Sequence, residues 1–214
     1  MSSLHYTHRF EPGTDPGAPP LLLLHGTGGD ENDLIPLGQK LSPGSALLSP
    51  RGDVLEQGMP RFFRRFAEGV FDLADVERRT NALADFIAAA ARKYGFDASR
   101  LTAVGFSNGA NIAASLLFLR PESLAGAVLL RPMVVLEKTE LPDLRGKRVL
   151  ISSGQFDPIV PTDHPGRLAG AFRSAGADVV LEGQQASHHL VAGDFTAMKN
   201  FLARNYVEKT GARG

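Results

Sequence analysis

The stretch Ala103-Val104-Gly105-Phe106-Ser107-Asn108-Gly109-Ala110 constrains the fold of this chain more than any other. The apolar run from Leu101 to Phe106 has the length of a strand, and the small and apolar residues from Ala110 to Leu119 suit a helix. Between them lies Gly-x-Ser-x-Gly, which reads as a nucleophile elbow. This is a sharp strand-to-helix turn that holds a serine in a strained backbone conformation with its hydroxyl facing solvent. Gly105 and Gly109 are expected where a Cβ would crowd the passage of strand against helix. The helix behind Ser107 would aim backbone N–H groups and a positive dipole end at whatever the serine attacks. The pattern alone recurs by chance, and the flanking strand and helix are the context that gives it weight.

Around this centre, strand and helix patterns alternate. Leu4 to Phe10 suits an edge strand, and Leu21 to His25 a central strand buried on both faces. Glu11 to Pro20, rich in proline, reads as a loop before the first core strand. A helix over Asp33 to Leu41 would place Leu34, Leu37 and Leu41 on one face. Ala46 to Ser49 is a short strand, and Asp53 to Val70 reads as an irregular excursion. A long helix over Ala74 to Tyr94 carries Leu83, Phe86, Ile87 and Ala90 on its apolar stripe and ends at Gly95. Strands follow at Ala127 to Leu130, Arg148 to Ser152 and Asp178 to Leu181, with helices over Pro165 to Ala175 and Phe195 to Tyr206. Met198, Phe201 and Leu202 point the last helix at the core. The alternation predicts one α/β domain over residues 1–214, a mostly parallel sheet with helices on both faces. Ligands of such sheets bind beyond the carboxyl ends of the strands.

Composition narrows the partners. The formal net charge is zero, which argues against a nucleic-acid partner held by bulk electrostatics. There is no cysteine, hence no disulfide framework, thiolate metal site or cysteine nucleophile. The first residues lack a basic and then apolar leader, and no apolar run is long enough to span a membrane, so a cytoplasmic location is expected.

A serine hydroxyl needs a base within hydrogen-bond reach, and the base needs an orienting acid. On folds that carry this elbow, the acid and then the histidine follow the serine along the chain. Asp157 lies just after the Arg148 to Ser152 strand, in a loop stiffened by Pro158 and Pro161, with Asp163 as its rival. The bland reading of Asp157 is an aspartate that starts an Asp-Pro turn. In the loop after the last strand, Ser187-His188-His189-Leu190 offers two bases that the residues themselves do not separate. His25 reads as a structural hydrogen-bonding group. A metal site built from Asp157, His164, His188 and His189 has no regular ligand spacing, and no cofactor or metal is expected. The oxyanion hole should draw on the N–H of Asn108 and on one N–H from the turn Gly26-Thr27-Gly28-Gly29. Thr27 is the first choice there and Gly28 the next. That turn lacks the endings and spacings of a phosphate loop. The aromatic and basic excursion from Gln57 to Phe71, with Phe62, Phe63 and Arg64, could form a flap that shapes a substrate pocket, and Gly28 could line that pocket as well. Its bland reading is phenylalanines packed on the body with solvated arginine heads.

Four segments together resemble the phospholipase/carboxylesterase family of α/β-hydrolases: His25-Gly26-Thr27-Gly28-Gly29-Asp30-Glu31, Gly105-Phe106-Ser107-Asn108-Gly109-Ala110-Asn111, Asp157-Pro158-Ile159-Val160-Pro161 and the Ser187-His188 step. The resemblance covers the chain from about Leu21 to Leu202. It implies a small α/β-hydrolase fold without a large lid, and a Ser107-His188-Asp157 triad acting on small-molecule carboxylic esters of short to medium acyl chains through an acyl-enzyme. It favours His188 because the family's histidine sits in a Gly-His step, whose place Ser187-His188 takes here. It also admits a homodimer. Acyl-protein thioesterases of the family carry Gln where this chain has Asn108, so the likeness is closer to bacterial carboxylesterases and does not imply depalmitoylation. A thioesterase or acyl transferase would use the same triad, and a non-catalytic binding protein could keep the same fold.

Overall fold

The computed structural model describes residues 4–210. In chain order its regular elements are β1 (His8–Glu11), β2 (Leu21–Leu24), α1 (Ile35–Leu41), β3 (Leu47–Pro50), β4 (Val54–Glu56), β5 (Met59–Arg61), β6 (Arg65–Ala67) and β7 (Val70–Phe71). There follow α2 (Leu73–Tyr94), β8 (Thr102–Phe106), α3 (Asn108–Leu119), β9 (Gly126–Leu130), β10 (Arg148–Gly154), α4 (His164–Ser174), β11 (Asp178–Gln184) and α5 (Ala192–Thr210). Seven strands form the main sheet in the order β1-β3-β2-β8-β9-β10-β11. Every pairing in it is parallel except β1 with β3 at the edge.

The continuous apolar strands have the composition of strands covered on both faces, and their side chains divide with the period of two that a strand imposes. Leu22, Leu24, Ala103, Ala127, Leu129, Val149 and Ile151 enter one core with residues of α2, α3 and α4. Leu21, Leu23, Val104, Val128, Leu130 and Leu150 enter the other with residues of α1 and α5. Each fully buried leucine contributes about 1.5–3 kcal/mol, so these strands anchor the fold. The stripe expected on α2 is buried, and Gly95 closes that helix with φ 73°. On α1 the fully buried face is Ile35, Gly38 and Leu41, while Leu34 and Leu37 lie at its margin.

The excursion after β3 is ordered rather than irregular. It forms two hairpins, β4 with β5 and β6 with β7, outside the main sheet. The first turns on Gln57-Gly58, both at positive φ (51° and 81°), the geometry that two-residue hairpin loops demand. Strands of two or three residues are too short to show a sequence period.

The sheet fixes where chemistry can gather. β8 lies between β2 and β9, at the middle of the strand order. Thr27 follows β2, Ser107 follows β8, Arg131 follows β9, Asp157 follows β10 and His188 follows β11, all beyond strand carboxyl ends.

Candidate active site

Ser107 joins β8 to α3 with φ 52° and ψ −114°, a conformation side-chain-bearing residues rarely adopt. Its N–H donates to Leu130 O at 2.8 Å and its own carbonyl accepts the N–H of Asn111 at 3.0 Å, so both sides of the strained residue are tied down. A Cβ on Gly105 would sit 2.5 Å from Gly109 O. The helix behind the serine is buried along its whole length from Asn108 to Phe118.

His188 Nε2 lies 3.0 Å from Ser107 Oγ, and His188 Nδ1 lies 2.8 Å from Asp157 Oδ2. A carboxylate only accepts, so Nδ1 carries the proton and Nε2 turns its lone pair to the serine hydroxyl. The Asp157 side chain is 1% exposed. Its other oxygen accepts the N–H groups of Ile159 at 2.8 Å and Val160 at 3.2 Å, so the loop's own backbone aims the carboxylate. The rival Asp163 precedes α4, is exposed and pairs with Arg167 at 3.0 Å. The side chain of His189 lies outside the row, and its carbonyl accepts from Arg131.

Thr27 and Asn108 both line a cavity of about 230 Å³ at Ser107. The N–H of Asn108 stands at the first position of α3, where no carbonyl lies one turn back to accept it. The N–H of Gly28 instead donates to Pro60 O at 3.0 Å. The side chains do other work. Thr27 Oγ1 accepts from Arg61 Nη1 at 2.7 Å, and Asn108 Oδ1 accepts the N–H of Phe62 at 2.7 Å, which ties the elbow to the hairpins.

The cavity wall differs from the expected one. Phe62 and Phe63 are fully buried in the core, and Arg64 turns away to hold Asp72 and, through its N–H, Asp75 at the start of α2. Neither these residues nor Gly28 lines the cavity. Its wall on that side is Arg61, Arg65, Glu68 and Phe71, facing Phe106, Met133 and Ile159. Burial and the neighbouring Arg65 push the Arg61 pKa down. Glu56 meets Arg61 at 3.2 Å and Arg65 at 2.9 Å, and Glu68 meets Arg65 at 2.5 Å. Two carboxylates therefore balance two guanidinium groups.

His25 is 1% exposed. Its Nδ1 donates to Gly26 O at 2.6 Å and its Nε2 accepts the N–H of Gly52 at 2.9 Å, so it braces the Thr27 turn as a neutral ring. Burial lowers its pKa. The excursion singled out in the sequence does reach the cavity, but through Arg61, Arg65, Glu68 and Phe71 rather than Phe62, Phe63 and Arg64; sequence reasoning missed Arg131 at the cavity and Asp194 behind it. For Arg131 a signal was available: it stands directly after β9, where strand ends gather ligands.

Residues 7–206 match the family model described as phospholipase/carboxylesterase. The chain is 48% identical to MhqD of Bacillus subtilis (strain 168), a hydrolase by name, over 86% of this chain and 90% of that one. Among solved structures, a Bacillus cereus carboxylesterase superposes with a TM-score of 0.92 at 44% identity, covering 94% of this chain and 95% of that chain. A carboxylesterase from Mesorhizobium loti superposes with a TM-score of 0.88 at 31% identity, covering 95% and 97%.

Proposed function

The chain belongs to the phospholipase/carboxylesterase family and is a hydrolase of carboxylesterase type, and from that premise we propose that Ser107, His188 and Asp157 cleave small carboxylic esters through an acyl-enzyme. Ser107 Oγ attacks the ester carbonyl as His188 Nε2 takes its proton. Asp157 holds the imidazole in the required tautomer and stabilises the imidazolium. The N–H groups of Thr27 and Asn108 receive the oxyanion, each contributing on the order of 10²- to 10³-fold in rate. The tetrahedral intermediate then collapses, and the leaving alcohol takes the proton back from His188. Water repeats the steps to release the acid.

The observation that carries this reading is the unbroken hydrogen-bonded row from Ser107 Oγ through the His188 ring to Asp157, at 3.0 and 2.8 Å. The cavity of about 230 Å³ supports a short to medium acyl group. A series of p-nitrophenyl esters of rising acyl length tests it. The expected result is a nitrophenol burst, an optimum at short to medium chains, and no turnover in a folded Ser107→Ala variant. Wild-type-like turnover by that variant overturns the mechanism, and an optimum at long chains overturns the acyl reading.

A further inference from the structure

The cation after β9 has no role in the steps above, yet it makes the most complete set of side-chain bonds around the site. Arg131 is fully buried and stands at φ 55°, a conformation that strains a residue with a Cβ. All five of its guanidinium N–H groups have acceptors. Nη1 and Nη2 grip the two carboxylate oxygens of Asp194 at 2.8 and 2.9 Å. Nη1 also reaches Ser152 O at 3.2 Å. The remaining two go to the carbonyls on either side of the histidine: Nε to Ser187 O at 3.1 Å and Nη2 to His189 O at 2.8 Å.

Asp194 is equally complete. Besides Arg131 it accepts Ser152 Oγ at 2.6 Å and the N–H of Val191 at 2.8 Å. Burial pushes its pKa up, but the bonds from Arg131, Ser152 and Val191 outweigh that and hold it below the ordinary carboxylate range. Two buried charges with every donor and acceptor matched hold one another firmly, whereas an apolar pair of similar volume would serve plain stability as well or better. The bonds to Ser187 O and His189 O are what an apolar pair cannot supply.

We infer that Arg131, anchored by Asp194, is a positioning residue that clamps the carbonyls of Ser187 and His189, the residues before and after His188, and so holds its ring in register between Ser107 and Asp157. The inference rests on the reading of His188 as the base. The His188 ring is fixed at one end by Asp157, a partner on a different loop. Without a fixed backbone, rotation of the loop would move Nε2 off the serine, and misplacement of about 1 Å costs on the order of 10²-fold in rate.

Two variants test this: Arg131→Lys, and the apolar pair Arg131→Met with Asp194→Leu. Lysine keeps the charge beside Asp194, but its single nitrogen cannot span the carboxylate and both carbonyls. Folding is checked by circular dichroism and thermal melting. The readouts are kcat and KM on a p-nitrophenyl ester, and the downfield proton resonance of His188 Nδ1–H on Asp157, recorded without substrate. In folded Arg131→Lys, kcat is expected to fall about 10- to 100-fold with KM within about threefold, and the resonance to broaden or vanish. A folded apolar pair should lose at least as much. Either variant folded with kcat within about twofold of wild type and the resonance intact overturns the clamp, as does a loss carried by KM alone. An Arg131→Lys chain that does not fold also overturns it, because the pair then holds the fold rather than the histidine. The resonance separates this inference from the functional reading: a wild-type chain that shows it but turns over no ester refutes the ester reading and leaves the clamp to be judged on the resonance alone.

Discussion

Gly109 presses against Leu24 so closely that a Cβ on it would lie 2.0 Å from the Leu24 carbonyl oxygen. The next contacts are no easier, with His25 O at 2.6 Å. These are backbone atoms of the neighbouring strand end, which cannot swing aside as a side chain can. Gly109→Ala is therefore expected to lose about 3 kcal/mol or more, read from the urea midpoint. Gly170, exposed on α4 with open space within 4 Å of where a Cβ would stand, is the control. Gly170→Ala should gain about 0.5–1 kcal/mol.

Asp157→Asn keeps the volume of the acid but lets the imidazole adopt the wrong tautomer. It is expected to lower kcat about 10³- to 10⁴-fold with little effect on thermal stability. Asp163→Asn removes an exposed ion pair with Arg167 and should leave kcat within about twofold. Equal losses in the two variants would place the orienting acid elsewhere.

Asn108 Oδ1 is the acceptor for the buried N–H of Phe62. Asn108→Ala leaves that N–H without a partner and is expected to cost about 1–3 kcal/mol. The same bond helps seat the hairpins that carry Arg61, Arg65, Glu68 and Phe71 to the cavity, so KM should rise by a larger factor than kcat falls. Steady-state kinetics with unfolding curves on one variant checks both parts.

His25 gives stability a pH dependence with a definite sign. Burial lowers its pKa in the folded chain from the ordinary 6.5, so the folded state resists a proton that the unfolded state accepts. Its contribution is complete above about pH 6.5 and is lost as pH falls from there through the lowered folded value. His164 is shifted the same way, also by burial, and adds to the slope. Unfolding free energies measured from pH 7.5 down to 5.5 should fall. His25→Asn should start lower and show a flatter profile over that window; an unchanged slope would assign the effect to other groups.

The parts of this molecule legible in its sequence are those in which one residue type meets one local demand. Gly105 and Gly109 announce the elbow because only glycine permits those contacts. Leu21 to Leu24 and Ala127 to Leu130 announce buried strands because their composition leaves no polar face. The hairpins escaped because strands this short carry no period, although Gln57-Gly58 held the turn signal. Phe62 and Phe63 read equally well as pocket or core, and only the turn of chain after β5 buries them. The pairing of Arg131 with Asp194 was illegible for a different reason. Arg131 carried only the signal of its place after a strand, Asp194 looks like an ordinary surface charge, and their meeting depends on three strands and a helix being assembled first.

The hairpins over residues 54–71 form sheets of their own, apart from the one that supports Ser107, Asp157 and His188. They nonetheless supply Arg61, Arg65, Glu68 and Phe71 to the cavity wall. Heredity can therefore rewrite what this scaffold accepts without touching how it reacts. Descendants that diverge between β3 and α2 would share one chemistry and differ in diet, and a mutagenic library confined to that segment is the place to look for new preferences.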